Sequence, residues 1–193
     1  MLPPRVRLLD RFNGAGLISA HSPDRAELGS SWSGGGNELA VADGRAYYPE
    51  DDVPSSYGYS ILSRPGGAPL LPAAAFTFTF SVATGNLSSS GYPGLYVSLT
   101  RGAFENGDWS NFGVAYQGHG QLLFIGTGVT HNVTLADNAD YSGTITVSGG
   151  QRRIQFAGLD VTVSDPYPAS LLTSVYLLLC PEAAGIAHIR AEV

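Results

Sequence analysis

Paired carboxylates are the residues that could cleave a sugar chain, because that reaction requires two of them facing one bond. The candidate clusters are Glu50-Asp51-Asp52, Glu105 with Asp108, and Asp137 with Asp140. None of these groups has the alternating Glu-x-Asp spacing that places two acids on one face of a strand. The first group precedes a Val-Pro-Ser-Ser stretch and is typical of a solvated loop. The pattern therefore predicts no enzyme, and an enzyme acting on polysaccharide would rest on Glu105 and Asp108 alone.

A second set of polar and aromatic residues suits sugar binding. The stretch 105–108 is first of all a turn, since Asn-Gly lies at its centre, and Trp109 follows it directly. An aromatic ring beside acids and an amide can form a shallow sugar site, although a buried Trp109 supporting the turn is the simpler structural alternative. His119 stands between two glycines at a predicted hairpin tip, where exposure is expected. The predicted carbohydrate-binding residues are Tyr57, Tyr59, Glu105, Asp108, Trp109 and His119.

A metal site is the third hypothesis. Asp137, Asn138 and Asp140 offer three oxygen-bearing side chains within four residues, and Ca²⁺ takes six to eight oxygen ligands. The EF-hand pattern is absent, and an acidic turn without metal is the commoner arrangement. The four histidines are scattered and lack the close spacing of zinc ligands. No cofactor is predicted, with Ca²⁺ on these three residues as the alternative.

Composition excludes several classes of function. All ten basic residues are Arg, and a chain without Lys has no Walker A loop, Schiff-base lysine or Ser-Lys dyad. The net charge of −6 argues against nucleic acid as a partner. No apolar run is long enough to cross a bilayer, so no membrane partner is expected. The first residues lack a signal-peptide pattern, which predicts synthesis in a cytoplasm, and the single Cys180 excludes an internal disulfide.

The elements that must position these residues have the pattern of strands. Residues 76–82 alternate apolar and hydroxyl side chains without a break, which is typical of a half-buried strand. Asp43-Gly44, Gly118-His119-Gly120 and Gly149-Gly150 predict hairpin turns. About a dozen short strands at this spacing predict an all-β fold, an antiparallel sandwich or barrel, in one domain over residues 1–193. The alternating final segment, 186–193, is expected to be tied into the sheet.

Two predicted strands break the alternation. Residues 122–125 and 176–179 are apolar at consecutive positions, so both of their faces should be covered. A loop folded over the sheet would cover them, and so would a neighbouring copy of the chain. A homo-oligomer is therefore one of two expectations for these strands.

Residues 8–48 carry a further pattern. It comprises Leu8-Leu9-Asp10-Arg11-Phe12, His21-Ser22-Pro23-Asp24, Trp32, and the hairpin segment from Leu39 to Tyr47. This pattern resembles the opening of concanavalin A-like (laminin-G-like) jelly-roll domains found in tailed-phage virion proteins. The resemblance implies an antiparallel jelly-roll sandwich whose final strand pairs beside the first. It also implies a structural role for His21, Asp24 and Trp32 in holding the first loop.

The resemblance first implies a non-enzymatic virion structural protein. Such a protein would be a capsid decoration protein or a tail, baseplate or fibre subunit, located in the virion and partnered by other virion proteins and by further copies of itself. The alternative is a lectin-like carbohydrate-binding module that engages host-surface glycan. A polysaccharide-cleaving glycosidase is the third hypothesis.

Overall fold

The chain folds into antiparallel strands arranged in two sheets. The computed structural model describes residues 5–27, 29–34, 37–49, 58–68, 75–85, 95–98, 113–116, 121–125, 129–164, 174–179 and 185–193. Short 3₁₀ turns occur at Ile18–Ala20 and Pro65–Gly67. Within these described ranges, no helix has the length and apolar character needed to span a membrane.

Seventeen strands form in the described part of the chain, more than the dozen predicted, because several are too short to show a periodic pattern. They are β1 (Val6–Asp10), β2 (Gly16–Leu17), β3 (Arg25–Ala26), β4 (Ser31–Gly34), β5 (Ala40–Ala42), β6 (Arg45–Tyr47), β7 (Gly58–Ser63), β8 (Phe76–Ala83), β9 (Leu95–Ser98), β10 (Gly113–Tyr116), β11 (Gln121–Ile125), β12 (Val129–Asn132), β13 (Asp140–Ser148), β14 (Gln151–Phe156), β15 (Leu159–Ser164), β16 (Ser174–Leu179) and β17 (Gly185–Glu192).

The strands divide between a ten-stranded and a seven-stranded sheet. The larger sheet runs β15-β14-β13-β8-β17-β6-β5-β2, with β1 pairing to both β17 and β3. The smaller sheet runs β12-β11-β10-β9-β16-β7-β4. One hydrophobic cluster draws buried side chains from both sheets, so the core is the space between them. The predicted antiparallel β-sandwich is confirmed.

Alternation places the core residues of the ten-stranded sheet. In β8 the phenylalanines at 76, 78 and 80 are buried, while the hydroxyl residues between them lie on the outer face. The Phe80 ring stacks on that of Phe156 from β14, with 5.7 Å between ring centroids. Gly143 lies opposite Phe80 in the register, and a Cβ at 143 would overlap the Phe80 Cζ atom. The absence of a side chain at 143 therefore makes room for the ring.

The hairpin predictions agree with the pairing that the structure shows. Asp43 and Gly44 both have positive φ and join β5 to β6, and Gly149 and Gly150 do the same between β13 and β14. Strands β10 and β11 pair on either side of segment 117–120. The Asp43-Gly44 and Gly149-Gly150 turns therefore reverse the chain through left-handed backbone.

The last strand holds the sheet together, although its alternation is interrupted. Strand β17 pairs along its length with β8 and on its other edge with β6 and then β1, as the resemblance implied. Its register shifts between Ile186 and His188, and this bulge lets Ile186 and Ile189 both face the core despite their odd spacing. The bulge also places His188 on the outer face, opposite Ser81.

The two apolar strands have different surroundings. Strand β16 lies inside the seven-stranded sheet between β9 and β7, and its alternate residues Val175, Leu177 and Leu179 are fully buried. Strand β11 lies between β10 and β12. Coverage of the second face of each strand, by a loop or by another copy, remains a prediction.

Candidate functional site

Most of the residues predicted from sequence to bind sugar fall outside the described part of the chain. These are Tyr57, Glu105, Asp108, Trp109 and His119. The sixth, Tyr59, is half-buried on β7, and its backbone N–H donates a hydrogen bond of 2.9 Å to the Asn37 carbonyl. The proposed grouping of all six residues therefore remains a prediction.

The strand ends that bound these segments lie at opposite ends of the seven-stranded sheet. Segment 99–112 is bounded by Ser98 and Gly113, which pair with each other. Segment 117–120 is bounded at the other end of β10, where Tyr116 pairs with Leu95. Gly58, which follows Tyr57, shares that second end, because Gly58 and Leu95 both pair with Leu179. His119 and the Glu105–Asp108–Trp109 group therefore require separate tests.

The three candidate metal ligands lie in and after the turn that leads into β13. The Thr84 hydroxyl hydrogen-bonds the backbone of this turn, donating to the Ala136 carbonyl at 2.7 Å and accepting the Ala139 N–H at 2.9 Å. Asn138 has a positive φ of 52°, and exposed Asp140 lies 3.6 Å from the Arg45 guanidinium. No group of three or more His, Cys, Asp or Glu side chains suited to a metal occurs among the described residues. Calcium on Asp137, Asn138 and Asp140 stays a prediction.

A buried carboxylate organises the first loop. Asp10, at the end of β1, is 0% exposed. Its Oδ1 accepts the Phe12 N–H at 2.8 Å and lies 2.8 Å from His21 Nε2, and its Oδ2 accepts the Trp32 indole N–H at 2.7 Å. Three nitrogen groups therefore surround this buried carboxylate within hydrogen-bond distance. We call Asp10, His21 and Trp32 with the Phe12 backbone the Asp10 network.

Phe12 completes this arrangement from the apolar side. Its backbone has a positive φ of 52°, which is uncommon for a residue with a bulky side chain. This conformation turns its N–H back onto Asp10, while its wholly buried ring lies 6.0 Å from the His21 ring and 5.9 Å from the Trp32 ring. Packing around the ring and the hydrogen bond to Asp10 together hold the unusual backbone.

A surface pocket of about 350 Å³ opens beside the Asp10 network. The 3₁₀ turn Ile18–Ala20 brings His21 to it, because the His21 N–H donates to the Ile18 carbonyl and the Ile18 N–H to the Leu39 carbonyl. Across the pocket, Asp24 accepts the Arg11 N–H at 3.0 Å and the Asn13 amide at 3.2 Å. The pocket walls include polar Asn13, His21, Ser22 and Asp24 and apolar Leu17 and Val41.

The sequence indicated the residues that hold the first loop, and it did not indicate the pocket beside them. His21 and Trp32 both bond Asp10, and Asp24 anchors the backbone at Arg11, so all three residues hold the first loop as the resemblance implied. Among the described residues, the wall residue Leu17 is the one large apolar side chain that is exposed, at 55%, and sequence does not reveal this. The Asn13-Gly14-Ala15-Gly16 turn was the available signal, since it separates β1 from β2.

No protein-family model and no curated protein sequence matches the chain. Among solved structures, the CBM2 module of the evolved Dit from Lactobacillus casei BL23 phage J-1 is similar, with a TM-score of 0.52, 14% identity, and coverage of 98% of this chain and 94% of that one. Lectin II from Ulex europaeus has a TM-score of 0.56 at 10% identity, covering 93% and 97% of the two chains. At these identities the likeness concerns fold. The fold is a concanavalin A-like jelly roll.

An enzyme also contains this fold. Trypanosoma rangeli sialidase has a TM-score of 0.61 at 11% identity, and the match covers 96% of this chain and only 30% of the sialidase. The chain therefore corresponds to less than a third of that enzyme. The carbohydrate-binding module and the lectin, in contrast, match over nearly their whole lengths.

Proposed function

We propose that the protein is a non-catalytic carbohydrate-binding module. The observation that carries this proposal is the pocket beside the Asp10 network, where hydrogen-bonding groups at Asn13, His21, Ser22 and Asp24 surround a space next to exposed Leu17. A sugar presents hydroxyls to such polar groups and C–H surfaces to an apolar side chain. The full-length similarity to a CBM2 module and to a lectin supports the same proposal.

The carboxylates of the pocket argue against hydrolysis. Glycosidases generally use two carboxyl groups on opposite sides of the scissile bond. Asp24 is the one carboxylate among the described pocket walls, and its two oxygens accept bonds from Arg11 and Asn13. Asp10 is buried behind the wall and saturated with three N–H groups. The described pocket therefore suits binding.

A glycan array tests the proposed function directly. Binding of at least one oligosaccharide is expected, and a blank array at high protein concentration would refute the proposal. Ala15→Trp, at an exposed pocket wall, should reduce affinity at least tenfold by filling the space. The matched control is Thr162→Trp on β15, an exposed position outside this pocket, which should leave affinity unchanged.

Two further variants separate this pocket from the sites predicted on the undescribed segments. If Trp109→Ala or His119→Ala abolishes binding and Ala15→Trp does not, the protein binds glycan at one end of the seven-stranded sheet instead. Turnover of a polysaccharide that disappears in Glu105→Gln would establish an enzyme and overturn the non-catalytic proposal.

A virion structural role is the second candidate function. The observation that favours it is the similarity to a phage Dit module over nearly the whole of both chains. We infer a decoration, tail, baseplate or fibre subunit whose partners are other virion proteins and further copies of itself. In this role, the glycan that the protein binds would belong to the host surface. Light scattering after size exclusion should then show a defined oligomer, or the protein should cosediment with virions. A monomer without affinity for virions would refute this role.

A further inference from the structure

Asp10 determines which nitrogen of His21 carries a proton. The Asp10 carboxylate accepts N–H groups from Phe12 and Trp32, neither of which can accept in return. Because an ionised carboxylate can only accept, His21 Nε2, 2.8 Å from Asp10 Oδ1, donates as well. In the neutral ring, the proton then lies on Nε2 and the lone pair on Nδ1.

His21 also forms part of the pocket wall, and 11% of its side chain stays accessible although Nε2 points at a fully buried group. Within the described residues, the bond to Asp10 is the one hydrogen bond that the ring makes. In the neutral ring, Nδ1 is thus an acceptor on a side chain that bonds Asp10 and packs near the Phe12 ring.

The charge of the pocket restricts its ligand. Asp24 is the one Asp, Glu or Arg side chain among the described walls, so the pocket has a carboxylate and no guanidinium. An anionic sugar would bring its carboxylate toward Asp24 without a guanidinium to receive it, which is unfavourable in a partly enclosed site. A neutral sugar instead supplies hydroxyl donors to the acceptors at His21 Nδ1 and Asp24.

We propose that this pocket selects neutral saccharides, with His21 Nδ1 accepting a hydrogen bond from a sugar hydroxyl and Asp10 acting as the positioning residue that fixes the His21 tautomer. The proposal rests on the proposed function and specifies its ligand class and a specificity-determining residue. It makes the Asp10 network part of recognition as well as part of the fold.

The first experiment measures affinity by isothermal titration calorimetry. The probes are neutral lactose, maltotriose and arabinotriose, with acidic 3′-sialyllactose and digalacturonic acid. Binding of at least one neutral probe and of neither acidic probe is expected. Preference for an acidic probe would overturn the inference while leaving carbohydrate binding intact, whereas a blank glycan array with no binding here would overturn both.

The second experiment removes the Nδ1 acceptor. His21→Gln can keep an N–H directed at Asp10 and lacks Nδ1, so affinity for the bound neutral probe should fall about tenfold with little change in melting temperature. His188→Gln on the outer face is the matched control and should bind as the parent does. A stable His21→Gln protein with parental affinity would refute the role of His21.

A measurement on the unmodified protein decides the case even if the variant fails to fold. The ¹⁵N chemical shifts of the His21 ring should show a protonated Nε2 and an unprotonated Nδ1, and the Nδ1 signal should move when the bound neutral sugar is added. A proton on Nδ1 in the neutral ring, or an Nδ1 signal unchanged at saturation, would refute the inference.

Discussion

Asp10→Asn is the most informative single substitution, because it preserves shape and removes one of two acceptor oxygens. In the parent, one Asp10 oxygen accepts from Phe12 and His21 while the other accepts from Trp32, and Asp10 itself is wholly buried. Asparagine offers one oxygen and one NH₂ group. Whichever way the amide is oriented, its NH₂ meets at least one N–H that has no other partner.

The magnitude follows from the groups that are left unpaired. With the amide nitrogen toward Trp32, the indole N–H loses its acceptor, since an indole can only donate. A buried donor without a partner costs about 1–3 kcal/mol. The two remaining bonds also lose their charge-assisted character, so the total expected loss is about 2–4 kcal/mol. The flipped amide gives no improvement, because its NH₂ group then faces the Phe12 N–H, which loses its acceptor.

Guanidinium unfolding followed by circular dichroism measures this loss. Asp24→Asn is the matched control, since it makes the same chemical change at an exposed carboxylate, and it should cost less than about 1 kcal/mol. In a Trp32→Phe background, the penalty of Asp10→Asn should shrink by about 1 kcal/mol or more, because the indole donor is already absent. A penalty below about 0.5 kcal/mol, or one that Trp32→Phe leaves unchanged, would refute the reasoning.

Two further predictions concern the ten-stranded sheet. Gly143→Ala should lower the free energy of unfolding by about 1–3 kcal/mol, because the added Cβ meets the Phe80 ring. Phe80→Leu in the same chain should reduce that penalty. Equal penalties in the parent and Phe80→Leu backgrounds would contradict the prediction. Burial, and then the positive charges of Arg190 and Arg11, lower the pKa of His188 below its ordinary 6.5. As the pH falls, the His188 ring is therefore protonated in the unfolded chain before it is protonated in the folded chain. Stability is lost as pH falls from about 6.5 toward the folded pKa. Arg11→Gln should raise the folded pKa in an NMR titration, and an unchanged or lower pKa would contradict the assignment.

Much of the fold could be predicted from local sequence. A strand with one buried face imposes a period of two, which is visible in β8 and β13, and a tight hairpin demands residues such as Asp43-Gly44 and Gly149-Gly150. The bulge in β17 was not predicted, because 186–193 was interpreted as a regular alternation although apolar Ile186 and Ala187 are adjacent. The bulge arises because Ile186 and Ile189 must both reach the core between two partner strands.

The candidate site was much less predictable. The sequence hypothesis chose residues by chemical type, and of its six sugar-binding candidates Tyr59 alone lies in the described part of the chain. The pocket was missed because its walls come from separate elements, the turn after β1, the 3₁₀ turn before His21, and β5 at Val41. Their side chains are ordinary surface types whose convergence has no local signature.

The neighbouring arginines at 152 and 153 show what the sequence determines and what the tertiary structure decides. Alternation alone determines that the two side chains point to opposite faces of β14. Tertiary structure decides which face is the core: Arg152 is wholly buried in the row of Ile154 and Phe156, while Arg153 extends outward and its Nε donates to Asp160 at 2.7 Å. The same holds for Asp10. In the sequence it is one of sixteen acidic residues, and only the folded chain surrounds it with three N–H groups. The chain itself sets the strand period and the turns because these depend on neighbours in sequence, whereas burial and hydrogen-bond partners depend on residues that only the assembled sheets bring together.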